Sequence, residues 1–208
     1  MNAGDRFYIK KHIFLYFTFG FLFIFTPLHS SSVLEIKEDD IILGDINAPI
    51  TIIEYASLSC IHCAKFHKNT LPKIVENYID TGKAKMVFRH FPLNYPALMG
   101  SMLIKCIDPK IRYDYLSALF ELQSTWVKPD AEIVEKELFK IMQSGGITKE
   151  HFDKCLANKK LEEKILQDLI DAQKEFNIGT TPSFLINGTF LEGNKPYKDF
   201  EKIIKKFE

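Results

Sequence analysis

At 208 residues with zero formal net charge, the chain is long enough to bury one good core, with room for a subdomain. Its composition is that of an ordinary globular protein except for 18 Phe, several of them among the first 25 residues. A balanced charge asks for neither nucleic acid nor an anionic membrane surface as a partner.

Residues 1–32 read as a secretory signal peptide or an N-terminal anchor. Arg6, Lys10 and Lys11 precede an apolar run from Ile13 to Leu28, and His29-Ser30-Ser31-Ser32 then supplies small residues. The run spans about 16 residues, short of the roughly 20 that a membrane-spanning helix needs. Ser30 and Ser32 are weaker than an Ala-x-Ala exit, so an uncleaved anchor stays open. The run is apolar on every side, unlike an amphipathic core helix. Basic residues ahead of it imply that the rest is exported, to a compartment where disulfides persist. Without residues 1–32 the net charge becomes −2.

Val33–Ile36 and Ile41–Leu43 are short apolar pieces, read as an edge strand and a lead-in. Gly44-Asp45-Ile46-Asn47-Ala48-Pro49 is turn chemistry. Ile50 to Tyr55 is a buried strand, Ala56 to Ser59 a turn, and a helical pattern starts at Cys60 and runs to about Asp80, with Pro72 expected to kink it. The strand thus delivers Cys60 and Cys63 to the first turn of a helix. The i, i+3 spacing puts both sulfurs on one face. Unpaired N–H groups and the helix dipole there favour an anion, so Cys60 is expected to be acidic, well below ~6.

Glu54-Tyr55-Ala56-Ser57-Leu58-Ser59-Cys60-Ile61-His62-Cys63 resembles the active-site segment of DsbA-like thiol oxidoreductases of the thioredoxin fold. Those commonly carry Cys-Pro-His-Cys; here Ile61 stands in the proline position and His62 is retained. The resemblance implies that Cys60 and Cys63 are catalytic and that Ile61 and His62 tune the redox potential. It also implies that Glu54 is a buried carboxylate beneath the pair, with a raised pKa and able to relay the proton of Cys63. An exposed strand-end glutamate is the alternative. The Gly44–Pro49 stretch is similar to the same family's lead-in.

Ala84 to Phe91 alternates as a strand, and His90 reads as a strand or surface histidine. Residues 96–176 hold no convincing strand. Helices are expected over Ala97–Ile107, Ile111–Gln123, Ala131–Met142 and Lys149–Phe176, the last breaking near Asn158; Pro109, Lys128-Pro129 and Gly145-Gly146 punctuate them. The aromatic residues Tyr113, Tyr115, Phe120 and Trp126 read as core. The remaining cysteines, Cys106 and Cys155, lie here. Four cysteines allow three pairings; the adjacent pair plus one distant pair is favoured, and two buried free thiols are the alternative. Closing a loop of 49 residues adds ~4 kcal/mol in the chain-entropy model. A subgroup of the DsbA-like proteins is similar in having a second, non-catalytic pair, which implies a structural Cys106–Cys155 disulfide.

Ile178 to Phe190 reads as turn, Thr-Pro, strand, Asn-Gly hairpin, strand, and Tyr197 to Phe207 as an amphipathic helix. Thioredoxin-fold oxidoreductases resemble this stretch, with a cis-proline loop facing the cysteines. The resemblance, not propensity, implies a cis Thr181–Pro182 bond and a Thr181 backbone that pairs with extended substrate.

The expected architecture is therefore an α/β thioredoxin-like fold, residues 33–95 and 177–208, with an inserted all-helical domain over 96–176. The expected activity is introduction of disulfides into secreted proteins in the periplasm, with isomerase or reductase work as the alternative. The lack of an N-terminal dimerisation domain argues against the dimeric isomerase plan, and a monomer is expected. Unfolded or reduced secreted proteins are the implied clients and a DsbB-type quinone-linked membrane protein the implied re-oxidant. No cofactor and no metal are called for. Two rivals of other classes are a zinc site at Cys60-x2-Cys63-x3-His67, which lacks a fourth ligand, and a non-catalytic chaperone-like domain.

Overall fold

The computed structural model describes residues 35–208; the signal or anchor expected over residues 1–32 lies outside them. The elements run β1 (Ile41–Leu43), β2 (Ile50–Ala56), α1 (Ile61–Asn69), α2 (Leu71–Ile74), a π-helical turn (Val75–Ile79), β3 (Ala84–His90), α3 (Tyr95–Cys106), a 3-10 turn (Pro109–Ile111), α4 (Arg112–Glu121), α5 (Gln123–Trp126), α6 (Ala131–Ser144), α7 (Lys149–Leu156), α8 (Lys159–Phe176), β4 (Ser183–Ile186), β5 (Thr189–Glu192) and α9 (Tyr197–Ile204). The sheet order is β1-β3-β2-β4-β5. β2 runs parallel to β3 and antiparallel to β4, while β1 and β5 lie antiparallel at the edges. The edge strand is Ile41–Leu43, and Glu35–Ile36 take no part in it. Among the described residues no helix is long and apolar enough to cross a membrane.

The centre of the sheet is apolar on both faces because both are covered. Ile50, Ile52, Phe184 and Ile186 pack under α1 and α9 with Phe66 and Phe200. Ile53, Tyr55, Val87 and Leu185 point the other way, against Ala172 of α8. Phe66 meets Phe184 at 4.6 Å and Phe200 at 5.3 Å between ring centres, contacts worth about 0.5–1.5 kcal/mol each beyond area burial. Strand alternation puts Glu54 on the Ile50–Ile52 face, so its carboxylate points beneath α1.

The helix expected from Cys60 to Asp80 is interrupted at one residue, Thr70, just ahead of Pro72, where the backbone stays in the helical region. Pro72 has no N–H to give to Lys68 and its ring obstructs that turn. α1 therefore ends at Asn69, and the chain restarts with Pro72 in the first turn of α2. The third to seventh helices and the 3-10 turn form a second apolar cluster around Trp126, Leu138, Phe152 and Cys155. Its break is where the sequence placed it: Asn158 caps α8, accepting from the N–H of Leu161 at 3.1 Å.

Gly145 permits one tight approach. A Cβ there would lie 2.0 Å from the hydroxyl of Tyr115, which is buried and donates to the carbonyl of Met142 at 3.0 Å. Gly145→Ala is expected to destabilise the fold by ~1–3 kcal/mol as an overpacking change, read as a lower urea midpoint with an unchanged slope.

Candidate active site

β2 ends at Ala56 because the backbone turns sharply: the N–H of Cys60 donates to the carbonyl of Ser57 at 3.0 Å. Cys60 then occupies the N-cap of α1 with extended dihedrals. An N-cap side chain is normally an oxygen that accepts from the second or third N–H of the helix. Here the atom in that place is a sulfur, and those donors are His62 and Cys63. The capping position thus favours a sulfur anion for the same reason that it favours Asp.

Cys60 is half-buried and Cys63 is buried, and both are free thiols. The Cys60 thiol is pulled down to about 5. Hydrogen bonding from the Cys63 thiol contributes most. Burial opposes it, and the Thr181 hydroxyl and the N–H groups of Cys63 and His62 add to it. Cys63 moves the other way, raised first by burial, then by hydrogen bonding to Cys60 and by the charge of Glu54. One sulfur is made an anion and its neighbour is kept protonated.

Thr181 faces both. Its carbonyl accepts from the neutral Cys60 thiol at 3.3 Å. Its hydroxyl is buried without a hydrogen-bond partner and is placed to favour the anionic sulfur. The Thr181–Pro182 peptide is cis, and β4 follows. The Asn187-Gly188 turn beyond it anchors on β2: Asn187 accepts from the N–H of Thr51 at 2.8 Å. Ile61 is 58% exposed beside Cys60, and the His62 side chain is also exposed; His62 favours the thiolate through its backbone N–H.

Glu54 is completely buried, not an exposed strand end. Its Oε2 lies 2.8 Å from Nε2 of His67 and Oε1 has no hydrogen-bond partner. His67 stacks on Phe120 at 4.0 Å. The sequence offered His67 only as a metal ligand; the ring instead turns to the carboxylate. Among the described residues the only three side chains placed closely enough for a metal are Cys106, His151 and Cys155, two of which are joined as a disulfide.

One further residue was not singled out in the sequence. Gln123 of α5 donates to the carbonyls of Leu58 at 2.8 Å and Cys60 at 3.0 Å, tying the helical segment to the cysteine loop. No local pattern marks it. His90 is buried, not at the surface: both ring nitrogens lack partners, and burial first, then Lys105, holds it neutral. Cys106 and Cys155 join the ends of α3 and α7, with Cα atoms 5.7 Å apart, and Cys155 belongs to the same apolar cluster as Cys63.

A sheet of this order with a cysteine pair at a helix mouth and a Thr-Pro loop opposite defines a thioredoxin-fold dithiol protein. Comparison with known proteins carries this further. The family model described as Thioredoxin matches residues 37–206. The crystal structure of Wolbachia pipientis alpha-DsbA1 is 35% identical, with a TM-score of 0.77 over 83% of this chain and 92% of that one. A Rickettsia bellii protein named as a protein-disulfide oxidoreductase is 31% identical over 76% of this chain. Disulfide bond formation protein D of Bacillus subtilis is 27% identical over 79% of this chain and 75% of its own length. The chain spans 61% of the length of the Rickettsia bellii relative. It belongs to the thioredoxin family, among its DsbA-like members.

Proposed function

We propose that this chain is an exported thiol:disulfide oxidoreductase that introduces disulfides into secreted proteins through Cys60 and Cys63. The observation that carries the reading is the split between the two sulfurs, one held down to about 5 and the other pushed up. In the oxidised state a client thiolate attacks Cys60, and Cys63 leaves. A second client thiol then attacks the client sulfur of the mixed disulfide and releases Cys60 as its thiolate, a good leaving group because the anion is stabilised.

Each residue takes a role on this reading. Ile61 and His62 tune the couple, Glu54 serves the proton of Cys63, and the backbone at Thr181 and Pro182 pairs with extended client. Cys106–Cys155 staples the inserted helices over residues 96–176, and residues 33–95 and 177–208 form the exchange domain. The basic and apolar segment at the N-terminus supports export to the periplasm. A quinone-linked membrane protein of the DsbB type would re-oxidise a monomeric enzyme.

The test is oxidation of a reduced two-cysteine peptide followed by fluorescence. The oxidised protein is expected to drive it to completion, and Cys60→Ser to reduce it to the uncatalysed rate, because no covalent route remains. The equilibrium of the couple against glutathione separates the roles. A position far toward reduced enzyme marks an oxidase, and a balanced one marks isomerase work. Unchanged turnover in Cys60→Ser would leave the chaperone-like rival standing.

A further inference from the structure

Cys63 and Glu54 are both sealed from solvent. A proton that Cys63 gains or loses therefore has to cross protein. Among the described residues, His67 is the one side chain hydrogen-bonded to Glu54. The imidazole is 9% exposed and lines a groove of about 400 Å3 along α1, α4 and α5, together with Lys65, Lys68, Ser117, Glu121 and Gln123. Stacking on Phe120 and edge contacts from Phe66 and Phe88 fix its plane. A single ring thus stands between a sealed carboxylate and a solvent-facing groove.

We propose that His67 is the outlet of the proton path: Glu54 exchanges a proton with Cys63, and His67 exchanges it with water in the groove. The inference rests on the reading of Cys60–Cys63 as the exchange centre. When a client thiolate attacks Cys60, a sulfur–sulfur bond forms to the client and the Cys60–Cys63 bond breaks, its electron pair going to Cys63. Glu54 gives that sulfur a proton from Oε1, the oxygen with no other partner, directly or through one water. It draws a replacement at Oε2 from Nε2 of His67, while Nδ1 takes one from groove water. One proton enters from solvent and one thiol is made. When the disulfide re-forms, Cys63 gives up its proton, the relay runs backwards and the first tautomer returns.

His67 touches neither sulfur, so it acts through Glu54 as a positioning and proton-exchange residue. The charged or titratable groups around the pair are Lys65 and Lys68 on α1, Glu121 on α4, and Tyr113 on α4, which feels the Glu54 charge.

The experiment loads Cys60 with glutathione as a mixed disulfide. It then follows the rate at which Cys63 displaces the glutathione, from pH 5 to 8, in wild-type, His67→Gln and His67→Ala full-length protein. Glutamine keeps the volume and a donor for Glu54 but cannot relay a proton. His67→Gln is expected to slow the step by at least about tenfold, the low side of general acid–base contributions, and to leave the Cys60 titration in place. His67→Ala is expected to be slow and to recover on adding imidazole, which the groove has room to admit. A His67→Gln rate equal to wild type, or a His67→Ala deficit that imidazole does not relieve, overturns the outlet. Should His67→Ala not fold, the Gln variant alone decides. A wild-type protein that never forms the mixed disulfide overturns the exchange reading itself, whereas normal wild-type exchange with an indifferent His67→Gln overturns the His67 role alone.

Discussion

Titration of the reduced protein by thiolate absorbance is expected to give a midpoint at about 5 for Cys60, and Cys63→Ala to move that midpoint up by more than any other single change near the sulfur. The largest influence lowering Cys60 is the thiol of Cys63, ahead of Thr181 and of the helix N–H groups. Alanine removes the donor and leaves Cys60 with its burial, which acts against the anion. Cys63→Ser keeps an O–H in place and lands between the two. Each unit of upward movement is a factor of ten in the proton equilibrium, so a midpoint that passes pH 6 leaves most of the sulfur protonated at that pH. An alanine variant that still titrates at about 5 would shift the cause to the helix terminus alone.

The same asymmetry sets a pH dependence of stability. In the folded reduced protein Cys60 loses its proton at about 5, and its ordinary value is 9.0. Between those limits the unfolded chain binds the extra proton, so the stability of the reduced form rises with pH across the window. That stability is fully present above 9 and is lost as pH falls through about 5. The oxidised protein has no thiol at this position and lacks the effect. The difference in melting temperature, reduced minus oxidised, is therefore expected to grow from pH 5 to pH 8. A difference that does not change with pH would mean that the folded protein does not favour the anion.

What was legible in the sequence is what is local. A strand, a four-residue turn and a helix beginning on a cysteine are encoded within Ile50 to Asn69, and the Thr-Pro and Asn-Gly signals fall within Thr181 to Thr189. The helix breaks at Pro109, Lys128-Pro129 and Asn158 follow from residues that cannot continue a helix or that cap one. What was not legible depends on contacts between distant segments. His67 lies four residues after Cys63, on the same side of α1, but its partner is 13 residues back on β2. Nothing in the helix itself says that the facing strand carries a carboxylate at that height. Gln123 reaches back across 65 residues to the carbonyl of Leu58. His90 reads as a strand residue in alternation, and only the cover on that side of β3 decides that it is buried.

Removing the Cys106–Cys155 link costs about 4 kcal/mol of stability in the chain-entropy model, because it frees a loop of 49 residues in the unfolded chain. For a chain of this size that corresponds to a fall in melting temperature on the order of 8–16 °C. The site makes the full effect plausible on the folded side as well. Cys155 is completely buried beside Phe152 and packs into the cluster that holds Trp126 and Leu138, so a Cys106→Ala/Cys155→Ala protein loses buried sulfur in addition to the crosslink. The measurement is urea unfolding of the double variant against wild type, with Cys60 and Cys63 reduced in both. The denaturant slope is expected to increase, since an uncrosslinked unfolded chain exposes more surface. Because neither Cys106 nor Cys155 is among the groups that set the Cys60 thiol, the midpoint at about 5 is expected to hold in the double variant while the fold remains intact. A stability change below ~1 kcal/mol would place the constraint elsewhere, in the packing of the third and seventh helices. A shifted Cys60 midpoint would instead mean that the helices reach the active site through Gln123, the side chain that ties them to the carbonyls of Leu58 and Cys60.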